Sequence, residues 1–294
     1  MSMHKIFSLQ IGLFNFVYRG LKIKILKKLK KNIIYKVLTK HNYNIHNWDP
    51  SATEIYMTQC FADWGNEYLF LDSINGRNNC YFLDIGCHSG YYPILFKNYF
   101  DNTIGFEPSS KCINILKLIK IENFAYHQCF VGDKNVYVEA KENDAGYSFY
   151  NSINHVPTNN IKIKQITLDS FCNKKNIENV TAIKIDVDGI DMEVLYGAKE
   201  VIKTNRPSVL IENYSKELFN YFKELDYSLL TLSSSKAKPY NLFLEELKSY
   251  DEKKWIKMVC CIPNEFKKKY QSYTFEGNLI TGINKKKIIK NFKI

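Results

Sequence analysis

Residues 81–92 read Tyr-Phe-Leu-Asp-Ile-Gly-Cys-His-Ser-Gly-Tyr-Tyr, an apolar run that ends in an acid and then turns through two glycines. A strand, a tight turn and a helix start is the reading this pattern allows, with the glycines admitting positive φ and close approach of a ligand at the carboxyl edge of a sheet. The dinucleotide fingerprint is G-x-G-x-x-G, which brings a pyrophosphate onto a helix N-terminus. Here only Gly86-x-x-x-Gly90 is present, and Asp84 precedes the first glycine. A carboxylate there would repel a pyrophosphate and suits the ammonium of an amino-acid moiety. Taken alone, the segment also fits a strand–turn–helix connection with no ligand. The next apolar run, Thr103-Ile-Gly-Phe-Glu-Pro108, ends in Glu107, 23 residues after Asp84. An acid at the end of a second strand can accept hydrogen bonds from both ribose hydroxyls. Pro108 then releases the chain from the strand.

Beyond Tyr81 short apolar runs alternate with helical stretches. Strands are expected at 81–86, 103–107, 125–131, 181–187, 208–213, 227–232 and 257–262, and helices near 90–99, 109–121, 190–203 and 215–225. That alternation implies right-handed crossovers and an α/β, mostly parallel seven-stranded sheet with helices on both faces. The polar segment 133–170 interrupts the rhythm as an insertion able to cover a pocket. Residues 49–76 read as a mixed helical lead-in, and 5–40 as one or two helices. The expected organisation is therefore a basic N-terminal extension (1–48), one catalytic-size domain (49–265) and a basic C-terminal tail (266–294).

The formal charge of +11 is local. Lys5, Arg19, Lys22, Lys24, Lys27, Lys28, Lys30, Lys31, Lys36 and Lys40 lie in the first forty residues, which hold no acid, so the remainder is close to neutral. Hydrophobic residues at 45% and charged residues at 24% are ordinary for a chain that buries a core. Eight cysteines include no CxxC pair and no zinc-ligand spacing, which fits reduced thiols in the cytoplasm. The apolar stretch 6–18 is too short to span a bilayer, and its charge follows rather than precedes it, unlike a signal peptide.

Several ordered blocks resemble the FkbM-type methyltransferases, a branch of the Rossmann-like S-adenosylmethionine enzymes. Leu83-Asp-Ile-Gly-Cys-His-Ser-Gly-Tyr-Tyr92 is similar to that family's first motif and Gly105-Phe-Glu-Pro108 to its second. Val131-Gly-Asp133 is similar to the end of its third strand and Ile166-Thr-Leu-Asp-Ser170 to its threonine-leucine-aspartate block. The stretch from Ile183 to Ala198 (Ile-Lys-Ile-Asp-Val-Asp-Gly-Ile-Asp-Met-Glu-Val-Leu-Tyr-Gly-Ala) is the most family-specific, and Pro207–Glu212 follows where the fifth strand belongs. The resemblance implies a class I methyltransferase fold and S-adenosyl-L-methionine as cofactor. It implies cofactor contacts from Asp84, Gly86, His88, Gly90, Glu107, Pro108, Gly132, Asp133 and Asp186. Two departures stand out: Asp188 and Asp191 occupy positions where the family commonly has Glu, and Cys87-His88 replaces a commoner Ala-Asn. His88 either shapes the loop or reaches the cofactor carboxylate.

Methyl transfer needs alignment and exclusion of water, and a hydroxyl acceptor also needs a base. Asp186, Glu212 and His155 are the candidates, with Asp186 at a strand's carboxyl end. Asp191 and Glu193 have a structural reading as first-turn acids favoured by the helix dipole. Magnesium would need only one or two carboxylates with substrate oxygens, yet nothing in the spacing of Asp186, Asp188, Asp191 and Glu212 requires it, so no metal is expected. The leading expectation is O-methylation of a sugar or glycan intermediate. The alternatives are a nucleic-acid methyltransferase using the basic arm, against which stands the lack of an (Asn/Asp)-Pro-Pro-(Tyr/Phe) block, and a non-catalytic binding module. The arm at 5–40 suits either a solvated helix or peripheral contact with the inner face of a membrane.

Overall fold

The computed structural model describes residues 13–29, 33–36, 42–45, 55–57, 62–74, 77, 80–143, 146–149, 161–235 and 238–267. The chain divides into two units, Met1–Asn75 with Tyr214–Ile294, and Gly76–Asn213.

The first unit begins with helix α1 (Leu13–Lys28) and an antiparallel pair, β1 (Ile33–Lys36) and β2 (Asn42–Ile45). Where one or two helices were expected over 5–40, a strand follows the helix because Ile33-Ile34-Tyr35 is β-branched and aromatic, a composition that favours a pleated surface. Helix α2 (Asn66–Ser73) is buried along its length. Its start is held by Glu67, whose two oxygens accept the amides of Asp63 and Gly65 at 2.8 and 2.9 Å.

The second unit opens with β3 (Tyr81–Ile85), α3 (Tyr91–Leu95), β4 (Asn102–Phe106), α4 (Ser110–Leu116) and β5 (Phe124–His127). Next come β6 (Phe130–Val131), β7 (Val136–Asn143), β8 (Gly146–Phe149) and β9 (Ile161–Ile166). The unit closes with α5 (Leu168–Lys175), β10 (Val180–Ile185), α6 (Asp191–Tyr196), α7 (Lys199–Asn205) and β11 (Ser208–Ile211). Five of its strands form a parallel array in the order β11-β10-β3-β4-β5. Neighbouring β4 residues show why helices cover both faces. Phe106 meets Phe171 of α5 edge-on at 4.9 Å, whereas Gly105, pointing oppositely, leaves room for Cys87, which clusters with Ile113 and Leu116 of α4. A strand buried on both faces should be apolar throughout, and the only charged residues in Tyr-Phe-Leu-Asp-Ile and Val-Thr-Ala-Ile-Lys-Ile are Asp84 and Lys184. Those two are register partners.

Two further features differ from the sequence expectation. The third parallel strand stops at His127. Phe130–Val131 turns away to pair with β9 in a separate four-stranded sheet, β6-β9-β7-β8, built from what read as a polar insertion. The helix expected over 190–203 is broken at Gly197, where a Cβ would lie 1.9 Å from the Gly132 carbonyl oxygen, so two backbones meet that only glycine lets meet. The threonine-leucine-aspartate block serves as a pair of caps: Thr167 accepts the Ser170 amide, and Asp169 accepts the Glu200 and Val201 amides at the start of α7.

In the first unit's second segment, α8 (Lys216–Glu224) precedes β12 (Tyr227–Ser235), β13 (Lys238–Glu246), β14 (Lys254–Ile256) and β15 (Val259–Pro263). β12 pairs antiparallel with β13, β14 and β15. The strands expected at 227–232 and 257–262 are thus present.

Candidate functional site

Parallel register determines which side chains share the carboxyl edge. Ile211 pairs with Ile185, Ile185 with Ile85, Ile85 with Phe106, and Phe106 with His127. The residues that follow therefore end in one line: Glu212, Asp186, Gly86, Glu107 and Gln128. Backbone bonds join them, with the Glu212 amide donating to Ile185, Asp186 to Ile85, Gly86 to Phe106 and Glu107 to His127. Ligands of open α/β sheets bind outside such an edge.

Gly86 and Gly90 both have positive φ, +74° and +83°. A Cβ on Gly86 would lie 2.0 Å from the Asp186 carbonyl oxygen, so the loop rests directly on the end of β10. His88 also has positive φ (47°), a conformation in which His and Asn are enriched among non-glycine residues. Its ring nitrogen Nδ1 lies 3.0 Å from the Ser89 hydroxyl. The loop amides point inward: Gly86 and Cys87 donate to the Phe106 carbonyl, His88 to Glu107 and Gly90 to the Cys87 carbonyl.

Beneath the loop lies a buried charge network. The Lys184 ammonium donates to the Gly86 carbonyl at 2.9 Å, and lies 3.5 Å from Asp84 and 3.2 Å from Asp186. It also sits over the Tyr92 ring. Asp84 has no exposed surface, and neither of its oxygens accepts a hydrogen bond. Burial raises its carboxyl to about 6, although Lys184 pulls the other way. Asp84, expected as a contact for a ligand's ammonium, faces the Lys184 ammonium here. The Asp186 side chain is 36% exposed, and it is the member of the network that opens outward.

Glu107 is buried, with each oxygen accepting one backbone amide, His88 at 2.9 Å and Ser109 at 2.8 Å. Burial raises its carboxyl while the His88 side chain and these amides lower it. Pro108 is half-buried, and its carbonyl accepts from Gln128.

Other expected residues lie elsewhere. Gly132 and Asp133 are not on the line of strand ends, because they follow β6 rather than β5. Gly132 packs against Gln165, and Asp133 pairs with Lys134 at 3.6 Å. Glu212 is on the line and exposed. His155 lies outside the described residues. Asp191 is buried and raised by that burial to about 6, while the nearby backbone amides of its own turn pull the other way. It follows a turn in which Asp188 and Gly189 both have positive φ. The shorter acid at 188 agrees with that backbone, since Asp tolerates the left-handed region better than most side chains. Among the described residues no group of three or more His, Cys, Asp or Glu is placed to hold a metal ion.

Sequence reasoning missed Lys184. Its signal was available, because a lysine inside a buried strand needs a partner and Asp84 was the unpaired acid of the neighbouring strand.

Strand order, the glycine turn and the acid at the end of the second strand define a Rossmann-like α/β domain of the class I methyltransferase kind. The profile of the methyltransferase FkbM domain matches residues 84–231, just over half of the chain. The chain belongs to the FkbM methyltransferase family. Among solved structures it is similar to the FkbM methyltransferase of Methylobacillus flagellatus KT, at 14% identity and TM-score 0.40, over 84% of this chain and 60% of that one. The chain thus spans less than two thirds of that protein. An rRNA methylase from Streptococcus thermophilus matches at 10% identity and TM-score 0.36, over 67% and 95% of the respective chains. TrmK of M. capricolum, solved with S-adenosylhomocysteine, matches at 15% identity and TM-score 0.31, over 67% and 68%. Comparison with curated proteins finds no match.

Proposed function

We propose that this chain is an S-adenosylmethionine-dependent methyltransferase acting on a hydroxyl of a sugar or glycan intermediate. The observation that carries the cofactor reading is the direction of the loop amides. With Gly86, Cys87, His88 and Gly90 engaged by protein acceptors, the turn offers none of these four donors to a pyrophosphate. Around it the Lys184 ammonium lies between Asp84 and Asp186, and a third acid, Glu107, accepts the His88 amide, so acids outnumber cations. Such surroundings suit a ligand carrying an ammonium and a sulfonium. Family membership supports methyl transfer, and the reading of the acceptor as carbohydrate rests on that membership alone.

S-adenosylmethionine supplies a methyl group already activated on a sulfonium carbon, so the protein's work is alignment, exclusion of water and handling of one proton. Glu107 accepts the two ribose hydroxyls. The Gly86–Gly90 turn lets the backbone approach, with His88 holding its shape. Asp84 acts from below through Lys184 and the Gly86 carbonyl. Asp186 takes the proton of the acceptor hydroxyl on its carboxylate, and Lys184 fixes that carboxylate at the edge. Glu212, next along the edge, lies within the same acceptor region. The work is done in the cytoplasm, where the free, buried thiols of the described cysteines suit a reducing compartment.

Calorimetric titration with S-adenosylmethionine and with NAD tests the cofactor reading: the first should bind and the second should not. Binding of NAD instead would overturn it. Release of S-adenosylhomocysteine should follow addition of nucleotide sugars or lipid-linked glycans. Release with RNA and with no carbohydrate would overturn the acceptor class.

A further inference from the structure

Helix α1 is apolar on two opposite faces. Inward, Ile23 is buried, and the Arg19 guanidinium donates to the Tyr56 carbonyl and lies over the Tyr56 ring. That side is satisfied by the chain itself. Outward, Phe14, Val17, Tyr18, Leu21, Ile25 and Leu29 are each between 49% and 82% exposed. At roughly 100° per residue these six fall in one sector about 120° wide. Lys22 borders that sector on one side, Lys24 borders it on the other, and Lys28 enters it at the last turn. No acid occurs in residues 1–40. A contiguous apolar stripe of this kind, rimmed by charge of one sign, marks an interaction surface.

We propose that the outward face of α1 docks on an anionic lipid bilayer, with its apolar side chains at the acyl boundary and Lys24 and Lys28 among the headgroups, while Lys22 lies over the Tyr56 ring. Charge selects this occupant. A second copy would bring the same lysines face to face with no acid to meet them. A nucleic acid would engage the lysines and leave six apolar side chains wet. A bilayer satisfies both sets at once. Among the described residues no helix is long and apolar enough to cross a membrane, so the contact is peripheral. Each basic residue engaged at an anionic leaflet raises partitioning roughly fivefold at low salt.

The test is co-sedimentation of the full chain with vesicles of equal parts phosphatidylglycerol and phosphatidylcholine, beside phosphatidylcholine alone. The protein should sediment with the first and not the second, and release as salt is raised. Phe14→Asp combined with Leu21→Asp, both on the exposed face, should lower binding at least about tenfold with thermal unfolding unchanged, as should Lys24→Glu with Lys28→Glu. Equal sedimentation of wild type and the aspartate variant would overturn the proposal. So would sedimentation with neither vesicle, or a dimer by light scattering that the aspartate variant abolishes. RNA binding lost in the lysine variant alone, without vesicle binding, would assign the surface to nucleic acid and equally overturn it.

Discussion

Replacing Lys184 by Met removes the ammonium from between Asp84, Asp186 and the Gly86 carbonyl while keeping a chain of similar bulk. Asp84 is then a fully enclosed carboxyl with no counter-charge for its ionised form. Breaking a buried pair from one side costs about 3–5 kcal/mol. The pH dependence separates charge from packing. In the wild type Asp84 ionises near 6, above its ordinary 3.8, so the native state holds a proton that the unfolded state has lost. Stability therefore falls by about 3 kcal/mol as pH rises through that window and then levels off for this group. Without Lys184 the folded Asp84 keeps its proton to higher pH, so the fall continues. The variant's deficit should be constant below about pH 6 and grow by up to about 1.4 kcal/mol per unit above it. Urea unfolding at several pH values reads this directly. Asp84→Asn added to Lys184→Met should recover most of the loss above pH 6. A deficit that stays flat with pH, or a double variant no more stable than the single, would refute the charge argument and leave only packing.

Glu107→Gln keeps an acceptor for the loop but removes the charge, and calorimetry should show S-adenosylmethionine affinity weakened at least about tenfold, from bonds worth roughly 1.5–3 kcal/mol each. Asp186→Asn should lower turnover by about 10²–10⁴-fold with donor affinity changed little, and a fall only in proportion to affinity would remove it from base duty. Gly86→Ala meets the Asp186 carbonyl at 2.0 Å and should abolish the folded loop, whereas Gly189→Ala, with positive φ but open space, should cost about 1–2 kcal/mol in thermal unfolding.

The edge of the sheet was legible because each strand carries its own punctuation: Asp84 before Gly86, Glu107 before Pro108, Asp186 after an apolar run. Period and composition could place these ends, and register then aligned them. What was not legible depended on contacts distant in sequence. Nothing local says that β5 stops at His127 and that Phe130 and Val131 join β9. Nor does Gly197 announce that the Gly132 backbone touches it and breaks a helix. Lys184 was read as one beat of a strand, and its role emerges only when register sets it opposite Asp84. In the arm, the apolar spacing was visible, but which of its two faces the chain itself covers was not.

All seven described cysteines are free and buried, and burial pushes the thiols of Cys87, Cys129, Cys172, Cys260 and Cys261 up, to about 12 for Cys129 and Cys172. A thiol-alkylating reagent therefore finds little thiolate in the closed protein. Cys87 sits inside the glycine turn against Gly105, so its labelling reports opening of that turn. Cys260 and Cys261 lie on β15 and report on the other unit. The chain carries intrinsic clocks for local opening in each half, readable by mass without any introduced probe.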